Sequence, residues 1–116
     1  MTSQGHPRAI FQRAIKRGNL LVAETTLRVE IPRPTLGDLL ELTALIAQKQ
    51  PERFSRVAAR WLFKYLQAVE GATIYDAAFI AANLHALGGR QHANALTVLR
   101  EMAEEASRRK PLRGVG

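Results

Sequence analysis

The sequence predicts an all-α fold: about six helices forming three antiparallel helical hairpins in a compact or slightly superhelical bundle. Apolar residues recur at helical spacings along most of the 116 residues. Proline, glycine, threonine and asparagine fall where such runs must start and stop. The one stretch that alternates like a strand has no second stretch to pair with.

The first helix is expected from Pro7 to about Arg17. Proline suits a first helical turn because the N–H it lacks would have no partner there. Ile10, Phe11, Ala14 and Ile15 form its buried edge, Gly18 can take the left-handed conformation that ends a helix, and Asn19 can cap the next one. In the second segment Leu20, Ala23 and Leu27 repeat helically, whereas Leu27, Val29 and Ile31 alternate with polar residues as in a strand. Residues 25–31 therefore admit both readings; a helix to about Val29 is expected, since a lone strand would have no partner. Pro32 and Pro34 then hold the connection extended.

Thr35 and Asp38 open the third helix with the spacing of a capping box, and Thr73 and Asp76 open the fifth in the same way. In the third helix Leu39, Leu42 and Ile46 give one apolar face, widened by Leu40 and Ala44. The fourth helix starts at Pro51 and ends near Gly71. On it, Phe54, Val57, Ala58, Trp61, Leu62, Tyr65 and Val69 share a broad apolar face, with the chain's only tryptophan at the centre. The alanines of the fifth helix are expected to let its neighbours approach closely, and Gly88-Gly89 closes it. A sixth helix from about Arg90 to Ser107 buries Ala95, Leu99, Met102 and Ala106. Residues 1–107 thus form a single helical domain, and 108–116 a basic, flexible C-terminal tail carrying Arg108, Arg109 and Lys110.

The pairs of helices look related. Thr35 and Asp38 match Thr73 and Asp76 at an offset of 38, and Ala58 and Leu62 match Ala95 and Leu99 at an offset of 37. With these spacings and the Gly-Asn turn of AIKRGNLLVAETTL, the chain resembles αα-hairpin repeats of the tetratricopeptide and HEAT kind. It departs from the tetratricopeptide signature, since Trp61 lies in the second helix of a pair. As a whole the chain also resembles small all-helical proteins of high-GC Gram-positive bacteria, a resemblance that implies no activity and no functional residues.

Composition narrows the function. There is no cysteine, which excludes disulfides, thiolate metal sites and cysteine nucleophiles and fits a reducing cytoplasm. The start of the chain is polar and basic, unlike a signal peptide, and no run approaches about 18 consecutive apolar residues, so neither export nor a membrane span is expected. His6, His85 and His92 have no acidic residue at ligand spacing, and no phosphate-binding glycine loop or nucleophile motif occurs. No enzyme, cofactor or metal site is expected.

The net charge is +7, and residues 1–64 hold 11 of the 17 basic side chains. A basic surplus favours anionic partners through attraction that salt screens. Arg53, Arg56, Arg60 and Lys64 form a stripe along the fourth helix whose ends lie about 16 Å apart, enough to follow about five phosphates of one duplex strand. Such a stripe equally describes a solvated helix edge whose long stems cover the core rim. No aromatic belongs to it, and the neighbouring aromatic face is expected to be buried, so stacking on single strands is not expected. A helix-turn-helix reading would use Arg90-Gln91-His92-Ala93-Asn94 as the start of a recognition helix.

The leading expectation is a non-enzymatic interaction module that binds another protein through a helical groove. The alternative is a small nucleic-acid-binding or regulatory protein using Arg53, Arg56, Arg60 and Lys64 together with Arg108, Arg109 and Lys110.

Overall fold

The computed structural model describes residues 6–109 and contains six helices: α1 (Pro7–Arg17), α2 (Leu20–Glu30), α3 (Leu36–Lys49), α4 (Pro51–Ala68), α5 (Ile74–Ala86) and α6 (His92–Arg109). There is no strand among the described residues. The ambiguous segment 25–31 is helical to Glu30, and extended backbone begins at Ile31, just before the first proline.

Local chemistry sets the boundaries. Gly18 takes φ +72° and its N–H bonds back to the end of α1, while the Asn19 side chain accepts from the Val22 N–H at 3.2 Å. Both capping boxes form. Thr35 Oγ1 accepts from the Asp38 N–H at 3.0 Å and the Asp38 carboxylate accepts from the Thr35 N–H at 2.9 Å, and Thr73 and Asp76 repeat the exchange at 3.1 and 2.8 Å. Each box satisfies two N–H groups that the first helical turn leaves without partners.

The helices pair as α1/α2, α3/α4 and α5/α6, but the pairs do not meet in equivalent ways. Helices α3, α4, α5 and α6 pack in a cycle, α3 closing it against α6. Their core holds Leu40, Ala44, Trp61, Tyr65, Ile80, Leu84 and Leu99, all at most 5% exposed. The α1/α2 hairpin lies outside this cycle, against α3, and has its own core of Phe11, Ala14, Ala23, Leu27, Leu45 and Ile46. Helix α3 is therefore apolar on two sides: Leu40 and Ala44 face one core, Leu45 and Ile46 the other. This explains why Leu39 and Leu42, expected at the centre of a single face, are only half-buried, and why Leu45 is buried without belonging to that face.

Trp61 is 2% exposed, its indole N–H donates to the Leu36 carbonyl at 2.9 Å, and its ring lies 5.8 Å from that of Tyr65 in a tilted contact. Burying a tryptophan requires a partner for that N–H, and the first residue of α3 supplies it.

Three charged pairs hold the helices in register. Arg8 of α1 pairs with Asp38 of α3, Arg53 of α4 with Glu24 of α2, and Arg100 of α6 with Glu41 of α3. Arg100 does not pair with Glu104 on its own helix; it bridges to α3, with bonds of 2.7 and 2.9 Å to the Glu41 carboxylate. Helix α6 also runs two residues beyond the expected end. Arg108 and Arg109 form its last turn, where cations oppose the negative end of the helix dipole. Lys110 and the remainder of the expected tail lie outside the described residues.

Candidate functional site

Two surfaces bear on function: the basic stripe of α4 and the outer face of α5. The structure divides the stripe. Arg53 is half-buried, and its two terminal nitrogens reach the two Glu24 carboxylate oxygens at 3.1 and 2.7 Å. It also donates to the Gln50 side chain at 2.7 Å. A bidentate fork of this kind is among the stronger side-chain interactions. The hydrogen bonds to Arg53 hold the Glu24 carboxyl below its ordinary pKa, and the same bonds raise that of Arg53. Arg53 is thus a structural cation linking α4 to α2.

Arg56, Arg60 and Lys64 are exposed, and none has an ion pair among the described residues. Arg60 and Lys64 rim a small cleft of about 110 Å³ between α2, α3 and α4, floored by Leu39, Ile46, Val57 and Trp61. Arg108 lies at the far end of α6, bonded to Glu105 at 2.8 Å and near Glu104 at 3.9 Å. Its hydrogen bond lowers the pKa of Glu105 and raises its own. Of the seven residues expected to contact anions, three therefore remain together as uncommitted cations, Arg53 and Arg108 are engaged with carboxylates, Arg109 is exposed at the end of α6, and Lys110 is outside the described residues.

Trp61 and Tyr65 of the neighbouring aromatic face are buried as expected, but the stripe has a further aromatic on its other side. Phe63 is 61% exposed. It lies three residues after Arg60, on the adjoining strip of the helix surface. The core needs only the arc from Ala58 through Trp61 to Tyr65, which leaves Phe63 pointing away from it.

The second surface was not among the expected sites. Helix α5 buries Ile80 and Leu84, with Leu87 just beyond its end. Of its five alanines, Ala77 and Ala86 are half-buried, Ala86 against the core, while Ala78, Ala81 and Ala82 face outward. Beside them Ile74 is 77% exposed, Tyr75 82% and Phe79 52%. No Lys, Arg or Glu occurs between Ile74 and Ala86, and the helix's one charged residue, Asp76, is held in its capping box. Apolar side chains thus lie on both the covered and the uncovered side of α5, a pattern that calls for burial beyond the one side the fold covers. That excess over a simple amphipathic pattern was the readable signal.

An open trough of about 930 Å³ lies between α1, α3 and α6. It is not an apolar groove: Asp38, Glu41 and Arg100 are paired within it, with Arg13 and Lys16 on the α1 wall and Glu101 and Glu104 on the α6 wall.

No cluster of three or more metal-ligating side chains occurs among the described residues, and no helix is long and apolar enough to cross a membrane. His92 is fixed by its own fold contacts, its Nδ1 donating to the Leu87 carbonyl at 2.6 Å and its Nε2 lying 3.3 Å from the Gln48 amide nitrogen. Compared with protein-family models, curated proteins and solved structures, the chain matches none.

Proposed function

We propose that the protein is a non-enzymatic interaction module that binds another protein through the outer face of α5. The observation that carries this reading is the exposure of Ile74, Tyr75 and Phe79 on one uncharged helix face. Single exposed apolar residues are ordinary, but contiguous ones amount to a patch of the size that marks interaction surfaces. Tyrosine and phenylalanine are also side chains that concentrate binding energy at interfaces. The partner surface is thus a helix face and not the groove expected from sequence.

A photo-crosslinking amino acid at position 75 or 79 tests the reading in cells, with position 97 on the polar side of α6 as the control. A discrete protein adduct from 75 and 79, absent from 97, is the expected result. No adduct from either α5 position overturns it.

A second reading, nucleic-acid contact, draws support from a different observation: exposed Phe63 flanks the three uncommitted cations Arg56, Arg60 and Lys64. An aromatic beside cations is the combination that single-stranded nucleic acid uses, the ring taking a base and the cations its phosphates.

A further inference from the structure

We propose that the partner of the α5 face is a second copy of this chain, packed with its α5 antiparallel across a two-fold axis. This rests on the protein-binding reading above and names its occupant.

Three features of the face favour a copy of itself. The first is charge. The chain carries +7 overall, so two copies repel except where the facing surfaces are neutral. Helix α5 offers such a surface; an acidic partner would be drawn instead to Arg56, Arg60 and Lys64.

The second is shape. At 100° per residue Ala78 and Ala82 occupy the middle of the exposed arc, with Tyr75 and Phe79 on one flank and Ile74 and His85 on the other. The large residues lie in the N-terminal half and the small ones extend into the C-terminal half. Antiparallel pairing sets Ile74 and Tyr75 of each copy beside the small surface around Ala81 and Ala82 of the other. The alanines at the seam allow the two backbones to approach closely. A two-fold axis perpendicular to both helices also brings the two aromatic flanks to the same side of the seam, where they cover each other. Such an isologous contact is the commonest route to a homodimer.

The third is area. On a scale of 150–250 Å² per aromatic side chain, the exposed parts of Tyr75, Phe79 and Ile74 amount to roughly 400–500 Å² per copy. Two copies then bury about 800–1,000 Å², in the range of weak, transient interfaces, so a reversible dimer is expected.

The test is sedimentation of the full chain from about 1 to 500 µM, spanning the affinity expected of so small an interface. The mass should rise from 12.9 kDa toward twice that value. Added salt should strengthen the dimer, because screening relieves repulsion between like-charged copies. The double variant Tyr75→Glu, Phe79→Glu should stay monomeric while its circular dichroism and melting remain those of the wild type, as both positions are solvent-facing. Since the chain has no cysteine, oxidising a mixture of Ile74→Cys and Ala82→Cys chains reads the direction of packing. Mixed disulfides in excess support the antiparallel register, and like-with-like disulfides overturn it. A wild type that stays monomeric throughout, or a dimer unaffected by the double variant, overturns the proposal. In that case adducts from positions 75 and 79 to a different protein would still uphold the protein-binding reading, whereas the absence of all adducts would remove both.

Discussion

Arg53 grips Glu24 with both terminal guanidinium nitrogens, at 3.1 and 2.7 Å, and so joins α4 to α2. Removing the carboxylate leaves a half-buried guanidinium without its main partner, so Glu24→Gln should destabilise the fold by about 1–2 kcal/mol at neutral pH, read by urea unfolding. The pH dependence follows from the lowered pKa of Glu24, caused first by its hydrogen bonds from Arg53. A carboxyl whose folded pKa lies below its unfolded value, about 4.3, contributes fully above that value and loses the contribution as pH falls through the folded pKa. The gap between wild type and Glu24→Gln should therefore be constant from pH 6 to 8 and close on acidification below about pH 4. A gap that persists unchanged in acid would show that the charged pair is not its source.

The two capping boxes have the same residues and the same bonds, yet their surroundings differ. Asp38 is 9% exposed and also pairs with Arg8 of α1, whereas Asp76 has no ion pair among the described residues. Asp76→Ala should cost about 1 kcal/mol, the ordinary value of a cap. Asp38→Ala should cost about 2–3 kcal/mol, because it also strips the partner from Arg8 and loosens α1 on α3. Equal losses in thermal or urea unfolding would mean that the Arg8 pair contributes nothing.

How legible each feature was in the sequence depended on how local its cause is. The caps at Asn19, Thr35 and Thr73, the left-handed Gly18 and the first-turn Pro51 depend on neighbours within a few residues, and each lies where the spacing put it. The central place of Trp61 was equally legible, because α4 has a single apolar arc. Helix α3 was not, since it serves two cores and a periodicity search looks for one face; Leu45 and Ile46 turn to the α1/α2 hairpin, which the local pattern does not contain. The same holds for charge. Arg53 and Arg56 are indistinguishable in sequence, and only the approach of α2, 29 residues earlier in the chain, commits one of them to Glu24. For α5 the composition held the clue, a helix with a single charged residue and apolar side chains on both its covered and its exposed side, but which side the core would cover was fixed by α4 and α6 and not by α5 itself.

Trp61 combines a buried ring with a satisfied N–H, and two substitutions separate these contributions. Trp61→Ala should lose about 3–5 kcal/mol through the cavity and the lost contacts. Trp61→Phe keeps an aromatic against Tyr65 but removes the donor to the Leu36 carbonyl and part of the ring volume, so a loss of about 1–3 kcal/mol is expected. A loss below about 1 kcal/mol for the alanine variant would contradict the packing described for the four-helix core.

The stripe makes the sharpest quantitative statement about nucleic acid, because Arg53 no longer counts toward it. If Arg56, Arg60 and Lys64 each neutralise one phosphate, the logarithm of affinity for random single strands should fall with the logarithm of salt at a slope of about −2.1, and for duplex at about −2.7. A slope near −3.6 on duplex would require a fourth cation and return Arg53, or one from elsewhere, to the interface. Replacing Arg56, Arg60 and Lys64 by glutamine should flatten the dependence without lowering stability, since none of the three is paired within the described fold. Phe63→Ala then distinguishes the two strand states. Loss of stacking should weaken single-strand binding by about 1–3 kcal/mol and leave the salt slope unchanged. Duplex binding, whose bases are already stacked on one another, should be nearly unaffected. Equal weakening on both substrates would mean that Phe63 supports the stripe's geometry and does not take a base. No binding to either at low salt would sink the nucleic-acid reading.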